Sequence, residues 1–262
     1  VQDYSSVNSS DPMCARWLSK TGAYCDMYSA PIEPGEIVNR LLWKECHAAI
    51  CTSATLSVGG RFDRFLDQSG LDPKISQLRL KSTFNFPEIA TFNVPKLRSD
   101  PRDFDAHTEE IIGVLPDLIR DDPSALILFS SWRQLNAVIK GLPVELTSAM
   151  LVQGDDAKQV LISNHRESIA QDKPSYLVGL SSFSEGLDLP GNLCRHVVIA
   201  KIPFAMPDDP VDQALAEWVE SQGRNAFYEI SVPDAALKLV QACGRLIRNE
   251  QDFGKITLLD NR

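Results

Sequence analysis

Residues 176–191 read Tyr176-Leu177-Val178-Gly179-Leu180-Ser181-Ser182-Phe183-Ser184-Glu185-Gly186-Leu187-Asp188-Leu189-Pro190-Gly191. The first five are apolar without alternation, which predicts a strand covered on both faces. The stretch then opens into serines, acids and glycines, the composition of a loop. The same pattern recurs on either side. Residues 125–130, 150–153, 195–202 and 255–259 read as further short buried strands. Residues 108–120, 134–140, 157–170 and 212–221 read as helices. A last helix follows Pro233, which suits a first helical turn, and runs to about residue 248. Together these predict an α/β fold, a mainly parallel sheet covered by helices on both faces with right-handed crossovers. In such sheets ligands collect beyond the carboxyl ends of the strands. The loops after strands are therefore where chemistry is sought.

The chain divides near residue 105, into a segment 1–104 and a regular α/β part 105–262. In the first segment, residues 16–28 read as one or two strands and residues 35–46 as a helix. Residues 48–52 read as a short buried strand, and residues 61–69 as another helix. Residues 82–102 form a connector, because Pro87, Pro95 and Pro101 oppose continuous helix.

The 262 residues are enough for one large domain or two small ones without staples. An apolar fraction of 44% and a charged fraction of 23% are ordinary for a globular protein, so disorder is not the default and a collagen-like or coiled-coil chain is excluded. The net charge of −9 excludes a basic footprint over the whole surface, so any DNA contact belongs to a local groove. No apolar run reaches about 18 residues, so no membrane helix is expected. Residues 1–12 lack an apolar segment of the signal-peptide kind, and a cytoplasmic location is expected. They also lack an initiator Met, and the chain reads as a piece of a longer one. Cysteines stand at 14, 25, 46, 51, 194 and 243, with no CxxC pair, and are read as reduced thiols. Cys46, His47 and Cys51 lie close together, but no fourth ligand follows at the usual spacing, so no metal is assigned.

Three elements carry chemistry. In the loop after residue 180, serine hydroxyls and backbone N–H groups can hold phosphate oxygens, and Gly186 lets the backbone approach a ligand. Asp188 can accept from a ribose hydroxyl or organise an arginine. An ordinary polar turn is the competing reading. The helix after Pro233 carries Gln241-Ala242-Cys243-Gly244-Arg245-Leu246-Ile247-Arg248. Helical spacing places Gln241, Arg245 and Arg248 on one narrow stripe opposite an apolar side. Two guanidiniums on a packed helix suit charge developing on a phosphoryl group. A pair of solvated surface arginines competes. Thr52-Ser53-Ala54-Thr55-Leu56 ends a strand, and its hydroxyls can relay hydrogen bonds; a polar strand end competes. Missing are a GxxxxGK[ST] phosphate loop and an acidic Mg²⁺ box, so this chain alone should not hydrolyse ATP.

In this order the elements resemble the later motifs of superfamily 2 helicases. Thr52 to Leu56 is similar to motif III, and Leu126-Ile127-Leu128-Phe129-Ser130-Ser131 with Trp132 is similar to motif IV. Phe183 to Asp188 resembles motif V. Gln241 to Arg248 resembles motif VI in its QxxGRxIR form. Leu151-Val152-Gln153-Gly154-Asp155 and residues 178–191 resemble the DinG family of bacterial helicases, related to XPD, and the resemblance runs from about residue 30 to the end.

The resemblance implies an ATP-dependent 5′→3′ DNA helicase with two RecA-like motor domains. ATP sits between them and single-stranded DNA crosses both. The phosphate loop, the Mg²⁺ box and a 4Fe–4S cluster belong to the first motor domain. This chain then corresponds to the second, with motifs IV to VI in residues 105–262 and motif III in the preceding segment. Arg245 and Arg248 are implied as arginine fingers, with Gln241 facing the nucleotide. Glu185, Gly186 and Asp188 are implied to couple nucleotide to DNA. Ser184, Gln153 and Gly154 are implied DNA contacts, and Thr52, Ser53 and Thr55 are implied to link hydrolysis to movement. A free-standing RecA-like module, non-catalytic or binding single-stranded DNA, is the second reading. The missing phosphate loop and the acidic charge motivate it.

Overall fold

The computed structural model describes residues 13–205 and 209–262. The chain opens with strands β1 (Cys14–Thr21) and β2 (Tyr24–Pro31) and helices α1 (Gly35–Val38) and α2 (Asp63–Ser69). Next come α3 (Phe86–Ile89), β3 (Ala90–Asn93), α4 (Phe104–Ile119), β4 (Ser124–Phe129) and α5 (Trp132–Gly141). Then follow α6 (Val144–Thr147), β5 (Met150–Val152), α7 (Lys158–Ala170) and β6 (Ser175–Leu180). The last elements are β7 (His196–Ile199), α8 (Pro210–Ser221), α9 (Val232–Cys243) and β8 (Gly254–Leu258). The described residues fall into two compact units, one within Val1–Leu80 and Ala205–Ala236, the other Lys81–Phe204 with Leu237–Arg262.

In the first unit β1 and β2 form an antiparallel hairpin. Gly22, at φ +63°, opens its two-residue loop, and Trp17 stacks on its cross-strand partner Tyr28 at 5.2 Å. Asn39 and Trp43 each donate from the side chain at 2.6 Å, to the carbonyls of Gly70 and Ser69. These bonds tie the helix at residue 35 to the end of α2. The strand expected at residues 48–52 does not form. That segment is irregular and exposed, with Ile50 95% accessible. An apolar strand is stable only when a neighbour pairs its backbone and covers its side chains, and among the described residues no strand does so.

The second unit is a six-stranded parallel sheet in the order β3-β8-β7-β4-β6-β5. Its centre is β4, buried along its whole length. Alternation divides β4 between two cores. Ile127 and Phe129 pack with Ile111, Leu115 and Ile119 of α4 and Leu135 and Val138 of α5. Leu126 and Leu128 pack with Leu161 of α7, Phe183, Leu187, Leu189 and Leu246 on the other face. Each such fully buried side chain contributes about 1.5–3 kcal/mol. Asp103 caps α4 through Ala106 N–H, and Ser131 caps α5 through Gln134 N–H. The connector read between residues 82 and 102 contains an unexpected element, the edge strand β3, which pairs in parallel with β8.

Buried histidines staple this unit. His107 Nε2 donates to the Leu259 carbonyl at 2.8 Å, and its Nδ1 accepts from Gln134 at 3.1 Å. His196 lies between Asp122 at 2.7 Å and Thr257 at 2.8 Å. Burial tends to raise the Asp122 pKa, but bonds from His196 and Lys255 hold it below the ordinary value. His165 bridges Ser175 at 2.9 Å and the Leu193 carbonyl at 2.8 Å. Burial, the largest influence, pulls its pKa below the ordinary 6.5. The folded state therefore favours neutral His165, while the unfolded state binds the proton more readily. Its stabilisation is complete above about pH 6.5 and is lost as the pH falls toward the folded-state pKa. The melting temperature should fall as the pH drops below about 6.5, and His165→Gln should flatten that slope. Equal slopes in both proteins would rule out His165 as the source.

Candidate functional site

The helix expected to reach residue 248 ends at Cys243. Gly244 still donates to the Val240 carbonyl at 2.9 Å, but Arg245 and Leu246 reach only three residues back, to Ala242 and Cys243, at 3.1 Å each. Glycine weakens the helix there. Leu246 and Ile247, adjacent in sequence, both turn into the core. Arg245 and Arg248 thus stand on an irregular turn beyond α9, not on a helical stripe. Gln241 lies half-buried on the last turn of the helix.

The turn packs on the loop after β6. Ser181–Ser184 forms one 3-10 turn, after which Leu187 and Leu189 plunge into the core. Gly186, just before Leu187, adopts φ +70°, a conformation costly for residues with a side chain. Glu185, Gly186 and Asp188 are exposed. Burying Leu187 fixes its carbonyl, and both arginines donate to it, Arg245 Nη1 at 2.9 Å and Arg248 Nη2 at 2.7 Å. Arg248 Nε lies 3.7 Å from Asp188 Oδ1. Arg166 donates to the Asp188 carbonyl at 3.4 Å, and Lys158 donates to the Glu185 carbonyl.

The electrostatics are unbalanced. Arg245 Nε is buried with no acceptor, alone in this among the buried side-chain polar atoms of the described residues. Burial, followed by the neighbouring Arg248 charge, lowers the Arg245 pKa, while Glu185 and Asp188 oppose the shift. Arginine stays protonated regardless. Two guanidiniums share one neutral carbonyl and one largely exposed carboxylate. An anion placed against them gains charge-assisted hydrogen bonds, and phosphate matches their forked donors.

The other expected positions are placed as follows. Gln153 N–H donates to the Val178 carbonyl, and its Oε1 accepts from Leu180 N–H, both at 2.8 Å. Its side chain therefore joins the ends of β5 and β6. Gly154 is exposed at φ +99°. Ser184 is buried, and its hydroxyl donates to the Ser181 carbonyl at 2.7 Å. Thr52, Ser53 and Thr55 lie in the first unit. There Ser53 Oγ accepts from Thr55 N–H at 3.2 Å and lies 3.1 Å from Thr55 Oγ1. The structure thus gathers Glu185 to Asp188, Arg245 and Arg248 around one carbonyl. Sequence reasoning missed the Leu187 carbonyl, Lys158 and Asp252. Among the described residues no group of three or more His, Cys, Asp or Glu side chains could hold a metal ion. No helix among the described residues is long and apolar enough to cross a membrane.

The sequence model of the family described as Helicase C-terminal domain matches residues 117–262. The chain belongs to that family. This helicase domain is 40% identical over 257 residues to an ATP-dependent DNA helicase DinG of Photobacterium profundum, covering 95% of this chain and 37% of that protein. It is 35% identical over 237 residues to the ATP-dependent DNA helicase DinG of Escherichia coli strain K12, covering 88% of this chain and 33% of that protein. The chain therefore spans about a third of the length of these relatives. A solved structure of an XPD helicase shares its fold, with a TM-score of 0.64 at 21% identity, over 89% of this chain and 42% of that one.

Proposed function

We infer that this chain is the second motor domain of an ATP-dependent 5′→3′ DNA helicase. The observation that carries this reading is the convergence of Arg245 and Arg248 on the Leu187 carbonyl, with Arg245 Nε buried and unpartnered. On this reading ATP, with its Mg²⁺, is held by the first motor domain, in the part of the protein outside this chain. A 4Fe–4S cluster belongs to that part as well. The γ-phosphate oxygens enter against the two guanidiniums and supply the missing counter-charge. As negative charge is redistributed in phosphoryl transfer, rigid cations stabilise it without reorganising. Gln241 faces the same nucleotide. Glu185, Gly186 and Asp188 pass the change to single-stranded DNA at Gln153 and Gly154, and Thr52, Ser53 and Thr55 link hydrolysis to movement. Ser184, expected as a further DNA contact, is instead buried and supports this loop from within through its bond to the Ser181 carbonyl.

The deciding experiment is DNA-stimulated ATPase of the protein carrying both motor domains, with each arginine replaced by alanine. Binding supplies a second test. This chain alone should hold single-stranded DNA weakly, because it supplies only part of the track. Its log affinity should fall with log salt by about 0.7 per phosphate neutralised. Tight, salt-independent binding measured by fluorescence anisotropy would favour a free-standing module instead.

A further inference from the structure

The turn bearing Arg248 holds a carboxylate that the nucleotide chemistry does not use. Asp252 is only 1% exposed. Its Oδ2 accepts from Arg248 N–H at 2.6 Å and from Asn249 N–H at 3.0 Å. Its Oδ1 accepts from Gly191 N–H at 2.8 Å. All three partners are main-chain groups, and they come from two separate segments. We propose that Asp252 is a positioning residue, clamping the Arg248 main chain to the loop that carries Leu187 and so fixing where the guanidinium points. This rests on the helicase reading of Arg248.

The geometry explains why a clamp is needed. Helix α9 ends at Cys243, so no helical hydrogen-bond ladder orients Arg248. Its position is set by two grips on the 187–191 loop. The guanidinium donates to Leu187 at one end, and Asp252 holds Gly191 at the other. A carboxylate bound to backbone N–H groups makes stronger bonds than a neutral acceptor. Removing it leaves N–H groups with no partner in a buried place, and the turn relaxes to satisfy them. A guanidinium tip shifted by about 1 Å is enough to lose about two orders of magnitude in rate.

The test is a double-mutant cycle on DNA-stimulated ATPase in the protein with both motor domains. Asp252→Asn keeps the shape but turns an amide donor toward the N–H groups. It should lower kcat by about 10²-fold, with the KM for ATP and the affinity for single-stranded DNA within about three-fold of the parent. In an Arg248→Ala background the same substitution should lower kcat by less than about two-fold, because its effect passes through Arg248. An equal loss in both backgrounds, or a raised KM at unchanged kcat, overturns the proposal. If Asp252→Asn does not fold, Asp252→Ser retains one acceptor and goes through the same cycle. Loss of turnover in Arg248→Ala with none in Asp252→Asn sinks the clamp alone. Near-normal turnover in Arg248→Ala sinks the parent reading of that arginine.

Discussion

Replacing Arg245 or Arg248 by alanine in the protein with both motor domains should lower DNA-stimulated ATP turnover by about 10³-fold or more. Affinity for single-stranded DNA should stay within about three-fold, because neither guanidinium is assigned to the DNA track. The physical reason is the local charge balance. Both cations sit on the Leu187 carbonyl, a neutral acceptor, and the carboxylate paired with Arg248, Asp188, is 72% exposed at its side chain. A developing phosphoryl charge gains most where no internal counter-ion already satisfies the donors. Arg245, with its buried and unpartnered Nε, has the larger unmet demand. Lysine at either position should rescue poorly, because one ammonium cannot reproduce a forked, planar donor set. Melting curves of each variant separate a lost finger from a lost fold. Turnover within ten-fold of the parent in both alanine variants would remove the arginine-finger assignment.

The sheet was legible because its centre is uniformly apolar. Residues 125–129 and 176–180 have no polar alternation, and β4 and β6 are buried where that pattern says they should be. Edge elements were less legible. β3 reads Ala90-Thr91-Phe92-Asn93, with prolines nearby at 87 and 95, and its last three residues are exposed. It is a strand because β8 offers a parallel partner, which no local pattern reports. Residues 48–52 show the converse. Ala48-Ala49-Ile50-Cys51 is apolar like a buried strand, yet an apolar run states what a segment favours burying, not whether a neighbour is there to bury it.

The site was half legible. Arg245 and Arg248 stand out in the sequence and the structure brings them to one carbonyl, but the helical stripe expected of them did not form. A spacing argument assumes the helix continues, and here Gly244 and the buried pair Leu246-Ile247 end it. What holds the arginines is a main-chain carbonyl at Leu187, and a carbonyl has no residue signature. Asp252 was missed for a related reason. Its role is to accept main-chain N–H bonds across a turn, and any short polar segment contains acids at such spacings.

Gly254→Ala should cost this chain about 3 kcal/mol or more of stability, because overpacking and backbone strain act together there. Gly254 opens β8 at φ +157°. A methyl group built on it would lie 2.2 Å from the Arg195 carbonyl oxygen and 2.9 Å from Leu246 Cδ1. Neither neighbour yields easily. The Arg195 carbonyl accepts from Lys255 N–H at 3.0 Å, just where His196 pairs with Lys255 at the start of the β7–β8 ladder. Arg195 is also held by its stack on Phe253 at 3.7 Å. Leu246 is in the core, one residue after Arg245. Relief of the clash therefore separates two strands or displaces the turn that carries both arginines. For a chain of this size the melting temperature should drop by roughly 6–12 °C. Gly113→Ala is the matched control. Gly113 lies within α4 with open space around its Cβ position, and alanine there should stabilise by about 0.5–1 kcal/mol. If Gly254→Ala melts within about 2 °C of the parent, less than 1 kcal/mol has been lost, and the close approach of β8 to Arg195 is not what seats the arginine turn.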